Sequence, residues 1–119
     1  MTQKRQAIGR FGERVAERRL VEAGMRVLDR NWRCGEGELD LVLDDAGVLV
    51  VCEVKTRSSV AYGVPHEAVT VEKLARLRRL AARWAREHRG SWQEIRIDLV
   101  AVVLARKGPA WVEHVRGLS

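Results

Sequence analysis

Gly37 to Arg57 reads GELDLVLDDAGVLVVCEVKTR, and this stretch decides the fold. Leu39 to Leu43 and Val48 to Val54 are mostly aliphatic, and Asp45, Ala46 and Gly47 between them form a turn signal, so the pattern predicts an antiparallel hairpin. Side chains alternate along a strand. Leu39, Leu41 and Leu43 are therefore expected on one face, with Glu38, Asp40 and Val42 on the other; in the second strand Val50, Cys52 and Val54 oppose Val51, Glu53 and Lys55. With Ala46 and Gly47 as the turn residues, Asp45 faces Val48, which sets Asp40 opposite Glu53 and Glu38 opposite Lys55.

Directly opposed side chains lie roughly 5 Å apart, and like charges there oppose folding. Two carboxylates flanked by long apolar runs are costly unless protonated, paired with a cation or bound to a metal. Lys55 supplies one positive charge on the face of Glu53. A divalent cation held by oxygen ligands, Mg²⁺ or Mn²⁺, would supply the rest.

Asp40 followed after a turn by Glu53-Val54-Lys55 resembles the PD-(D/E)XK signature of the restriction-endonuclease-like nucleases, with Leu39 rather than proline before the aspartate. Gly9-Arg10-Phe11-Gly12-Glu13, Asn31-Trp32-Arg33, Gly37-Glu38-Leu39-Asp40-Leu41, Glu53-Val54-Lys55-Thr56-Arg57 and Asp98-Leu99-Val100-Ala101 together resemble the YraN-type family. That family is described as endonuclease-like and similar to archaeal Holliday junction resolvases. The resemblance runs from about Gly9 to Leu104. It implies a single endonuclease-like domain over residues 1–119, core about 9–104, and metal-assisted hydrolysis of phosphodiester bonds in DNA, branched or junction DNA included. It further implies Asp40, Glu53 and Lys55 as catalytic residues, with Asp40, Glu53 and Glu13, and the carbonyl of Val54, around the metal.

The 119 residues suit one domain, and no run of about 18 apolar residues is present to span a membrane. The opening MTQKRQAIGR lacks the apolar centre of a signal peptide, so a cytoplasmic protein is expected. Cys34 and Cys52 have no CxxC spacing, which argues against a zinc site and a disulfide framework. Net charge is +6, a balance that favours polyanions and nucleic acid over membrane.

Arg10 to Ala23 has helical periodicity, with Ile8, Phe11, Val15, Ala16 and Ala23 on one stripe and Glu13 and Glu17 pointing away from it. On its own residues Glu13 reads equally as a solvated carboxylate in the first helical turn, favoured by the helix dipole. Val27 to Cys34 reads as a strand whose Trp32 belongs to core or rim rather than a base-stacking platform. Thr56 to Ala68 reads as a loop, with His66 exposed on it. Val71 to His88 is the strongest helical signal: Leu74, Leu77, Ala81, Trp84 and Ala85 form an apolar stripe, and Lys73, Arg76, Arg79, Arg83 and Arg86 gather on another side. With Arg57, the residues Lys73, Arg76, Arg79 and Arg83 are the candidate nucleic-acid contacts; the alternative is a solvated face whose arginine stems cover apolar surface.

Ile95 to Leu104 suits an interior strand parallel to an earlier one, and Ala110 to Val115 a short edge strand. Asp98 is a candidate supporting residue of the site, and a buried aspartate there calls for an arginine partner. Glu38, next to Asp40 on the same face, is the other supporting candidate. The order helix, three strands, helix, two strands is an α/β domain with a central mixed sheet flanked by helices, the restriction-endonuclease-like arrangement that the motifs imply.

Two other readings fit the same residues. A nucleic-acid-binding protein with this fold and no catalysis would bind in a salt-dependent way without metal-dependent cleavage, and a small adaptor would dock its basic helix on an acidic protein. Among partners, DNA comes first and a membrane is not expected; cutting both strands of a junction would suit a homodimer.

Overall fold

The structure is a computed structural model and describes residues 3–58 and 69–119. Its elements are α1 (Gln3–Glu22), β1 (Arg26–Cys34), β2 (Gly37–Asp45), β3 (Val48–Arg57), α2 (Val71–Glu87), β4 (Glu94–Val103) and β5 (Trp111–Val115). This is the expected α-β-β-β-α-β-β order, in one α/β sheet with strands in the order β1-β2-β3-β4-β5. β1, β2 and β3 form an antiparallel meander, β4 runs parallel to β3, and β5 returns antiparallel along the edge. The sheet is mixed because α2 lies between β3 and β4 in the chain and carries it back across one face.

Two hydrophobic clusters, one on each face, hold the helices to the sheet. Ala16 and Leu20 of α1 pack with Leu41, Leu43, Val50, Cys52, Val100 and Val102. On the other face Leu77, Leu80, Ala81 and Trp84 of α2 pack with Leu39, Val42, Leu49, Val51 and Ile97. Thr70 caps α2 by accepting a hydrogen bond from the Lys73 amide at 3.1 Å, and Trp84 donates its indole N–H to Asp29 Oδ2 at 2.9 Å.

The turn is as the hairpin pattern requires, with Asp45 opposite Val48 and Ala46 and Gly47 both at positive φ. The strict alternation expected along β2 fails at one place. Leu39 belongs to the α2 cluster and Leu41 to the α1 cluster, although they are two residues apart. The break coincides with Asn31 across the β1–β2 pair, which adopts φ 49. A left-handed residue turns its strand locally, and asparagine tolerates that conformation better than most.

Helix α1 begins earlier than expected, and its stripe holds at Val15 and Ala16 but not at its ends. Phe11 is 42% exposed and Ala23 is exposed, while Leu20, which the stripe omitted, is fully buried. Thr56 and Arg57 continue β3 rather than opening a loop; the rest of that expected loop from residue 59 to 68, His66 included, lies outside the described residues. Trp32 is half-buried against the α2 cluster, and Cys34 and Cys52 are free thiols. No described helix is long and apolar enough to cross a membrane.

Candidate metal site and its groove

The β2–β3 ladder runs from Asp45–Val48 as far as Leu41–Cys52, whereas β3 stays paired with β4 up to Arg57. Past Leu41 the two strands fork. The Val54 amide at the fork donates to the Asp40 carboxylate, 2.9 Å to Oδ2, instead of to a main-chain carbonyl of β2. Asp40 is thereby fixed between the strands.

Helix α1 brings a second carboxylate to the fork. Gly12 is buried against Thr56 of β3, and a methyl group in its place would collide with Thr56 Cβ at 2.9 Å and with the Thr56 hydroxyl. Glycine therefore permits the close approach that sets Glu13 beside the sheet. Asn31 completes the arrangement: its Nδ2 donates to Glu13 Oε1 at 3.0 Å and, at 3.4 Å, to Glu38 Oε1. Oxygens of Glu13, Glu38 and Asp40 all lie within 4.8 Å of one another. Glu38 is also held by Arg33, 2.8 Å from Nε to Oε2.

Glu53 stands close enough to Asp40 for its charge to act on that carboxyl, and it forms an ion pair with Lys73 from α2. Lys55 stands two residues further along β3. Burial lowers its pKa, as do the neighbouring charges of Lys73 and Arg57, with Glu53 opposing them. Asp40 shows the largest effect. Burial, then the charges of Glu53 and Glu13, push its carboxyl up to about 8 against the stabilising Val54 amide. Asp40 thus retains its proton at neutral pH when no cation neutralises it.

Glu13, Glu38 and Asp40 could hold a metal ion. All-oxygen donors of this kind suit a hard divalent cation such as Mg²⁺, which takes few carboxylates and keeps room for water. The surroundings are open: a cleft of about 1220 Å³ is lined by Glu13, Asn31, Glu38, Lys55 and Arg57, among others. A groove of about 600 Å³ runs from Asp40 along α1 past Arg10, Arg14 and Arg18.

The other residues singled out in the sequence fall in three places. Lys73, expected on a basic outer face, turns in to Glu53. Arg76 and Arg79 are exposed on α2, and Arg83 is engaged by Glu87 and Glu36 at 2.9 and 3.2 Å. Asp98 is fully buried and accepts from Arg96, from His114 Nε2 at 2.8 Å and from the Gly117 amide at 3.0 Å. Burial raises its pKa, but those three partners outweigh burial and hold it at about 2. Asp98 is thus engaged in a network that reaches the carboxyl-terminal residues. Asn31 stands in one of the motif blocks of the sequence, but its task, an amide bridging Glu13 and Glu38, shows only in the assembled fold.

Comparison with known proteins places these features in context. The profile described as Uncharacterised protein family UPF0102 matches residues 12–102. A "UPF0102 protein" of a Nocardioides species is 60% identical over 115 residues, covering 97% of this chain and 93% of its own length. One from Beutenbergia cavernae is 61% identical over 113 residues, with 95% of this chain and 96% of that protein covered. Among solved structures, Pyrococcus furiosus SfsA in complex with Ca²⁺ is matched at 14% identity with a TM-score of 0.40 over 96% of this chain, which spans 64% of the SfsA chain.

Proposed function

The chain belongs to uncharacterised protein family UPF0102, the YraN-type family, and from that premise we propose that it is a metal-dependent endonuclease hydrolysing phosphodiester bonds in DNA. The observation that carries this reading is the fork itself. Oxygens of Asp40, Glu13 and Glu38 converge there, Glu53 is close enough to act on Asp40 by its charge, Lys55 lines the adjoining cleft with Glu13 and Glu38, and the Asp40 carboxyl is destabilised as an anion in a way that a divalent cation would relieve.

In this reading Asp40, Glu53 and Glu13 hold Mg²⁺ or Mn²⁺, with Glu38 supporting them. When bound, the ion would lower the pKa of a water and offset charge on the scissile phosphate. The chain's own groups do the rest. Lys55, on the wall of the same cleft as Glu13 and Glu38, would orient the attacking water and stabilise negative charge on the non-bridging phosphate oxygens. Water adds to phosphorus, the bond to one bridging oxygen breaks, and that oxygen leaves with a proton. Arg57 on the same cleft wall would steady the flanking phosphate. Branched or junction DNA is the substrate class that the motif resemblance suggests, and a homodimer would cut both strands of a junction.

One observation favours a second reading, a nucleic-acid-binding protein of the same fold without catalysis. The ion pair with Lys73 already neutralises Glu53 and competes with any metal for that carboxylate. Incubating branched, single-stranded and duplex DNA with Mg²⁺ or Mn²⁺ separates the two. The nuclease reading expects metal-dependent cleavage that falls by at least about 100-fold in Asp40→Ala and Glu53→Ala. Cleavage surviving both substitutions excludes this site, and binding without cleavage supports the second reading.

A further inference from the structure

We infer that the phosphate backbone of a nucleic-acid strand is led to the fork by an arginine ladder on α1, Arg10, Arg14 and Arg18, rather than by the arginine-rich helix α2. The inference deepens the nucleic-acid reading above and rests on it.

Three observations carry it. The ladder residues are spaced four apart on one helix, so their side chains share a face and stand about 6 Å apart along the axis, about 12 Å from first to last. All three are exposed, and none has an ion-pair or hydrogen-bond partner among the described residues. All three also line the groove that contains Asp40, and Arg10 lines in addition the cleft with Lys55 and Arg57. Two acidic residues of the same helix, Glu13 and Glu17, line that groove but are already engaged, and Glu22, four residues after Arg18, closes the row at its far end. Glu17 is neutralised by a two-point contact with Arg30, at 2.6 and 2.9 Å, and Glu13 is held by Asn31 at the fork.

The basic residues of α2 are placed differently. Lys73 is committed to Glu53, Arg83 to Glu87 and Glu36, and Arg78 donates to the Leu118 carbonyl at 3.1 Å. The helix packs on the opposite face of the sheet from α1 and from the groove along it. A strand held by Arg76, Arg79 and Arg86 would not follow that groove. One held by the α1 ladder would, at a rise of about 3.4 Å per nucleotide, set three or four phosphates along the helix and the next ones over Asp40.

The test is a salt titration of binding, read by fluorescence anisotropy on a labelled single strand of DNA and on RNA of the same sequence. Wild type is compared with R10Q/R14Q/R18Q and with R76Q/R79Q, each first shown by circular dichroism to melt cooperatively. Removing three phosphate contacts lowers the slope of log K against log salt by about 2 units on both strands, and the α2 pair by less than about half a unit. A larger loss from the α2 pair, or a loss from the α1 set on only one of the two strands, overturns the ladder as a backbone track. If the wild-type protein binds neither strand at about 50 mM salt, the nucleic-acid reading itself fails.

Discussion

At the scale of single residues, Asp40 and Gly12 carry opposite kinds of demand. A carboxyl whose pKa is near 8 in the folded chain and near 4 when unfolded must take up a proton on folding throughout that interval. Without a cation, Asp40 therefore costs stability progressively as pH rises from about 4 to about 8. Asp40→Asn removes the penalty, and melting the cation-free protein at pH 7 should show a gain of about 1 kcal/mol or more, some 4 °C. Cation binding must expel the Asp40 proton. Apparent Mn²⁺ affinity is then expected to rise up to about tenfold per pH unit below pH 8 and to level off above it, as isothermal titration would record. Gly12→Ala is expected to cost about 1–3 kcal/mol by chemical denaturation, because Thr56 is β-branched and cannot swing its Cβ aside. It should also weaken Mn²⁺ binding, since the helix backs away and takes Glu13 with it.

At the scale of elements, the site exists because two strands separate. The turn at Ala46 and Gly47, the Asp45–Val48 register and the parallel return of β4 could all be read from the sequence, since long apolar runs bounded by turn residues leave few alternatives. The packing of α2 was nearly as legible, with Trp84 in its expected stripe, because strongly spaced leucines dominate its pattern. Helix α1 was not. Its apolar residues are few, so the expected stripe caught Val15 and Ala16 but ran on to Phe11 and Ala23 in place of Leu20. Glu13 and Glu17 consequently looked outward, whereas they face Asn31 and Arg30 on β1. The break in alternation at Asp40 was equally hidden, being tied to the backbone of Asn31 on a neighbouring strand. Asn31→Ala should remove the amide that bridges Glu13 and Glu38, lowering Mn²⁺ affinity about 10–100-fold while leaving the circular dichroism spectrum unchanged.

At the scale of the whole molecule, the sheet separates two tasks between its ends and faces. Asp98 ties β4 to β5 and to the carboxyl-terminal residues through Arg96, His114 and Gly117, while Arg96 also reaches Asp45 at 2.9 Å. Its folded pKa near 2 lies below the unfolded value, so its contribution of about 2 kcal/mol is present above about pH 4 and lost as pH falls towards 2. Asp98→Ala, which leaves the part-buried Arg96 and His114 without their shared carboxylate, should cost about 3–5 kcal/mol in urea at pH 7. The fork lies beyond that network, where β2 leaves β3, and its neighbours supply both signs of charge: carboxylates at the centre, arginines and lysines around them. All of the functional reading depends on a cation being held at that centre. Titrating the protein with Mn²⁺ and following the free ion by electron paramagnetic resonance tests this most directly. Saturable binding by wild type that is lost in Asp40→Asn and weakened in Glu13→Gln is the predicted result, and an affinity unchanged by Asp40→Asn, or no binding at pH 8, would contradict it.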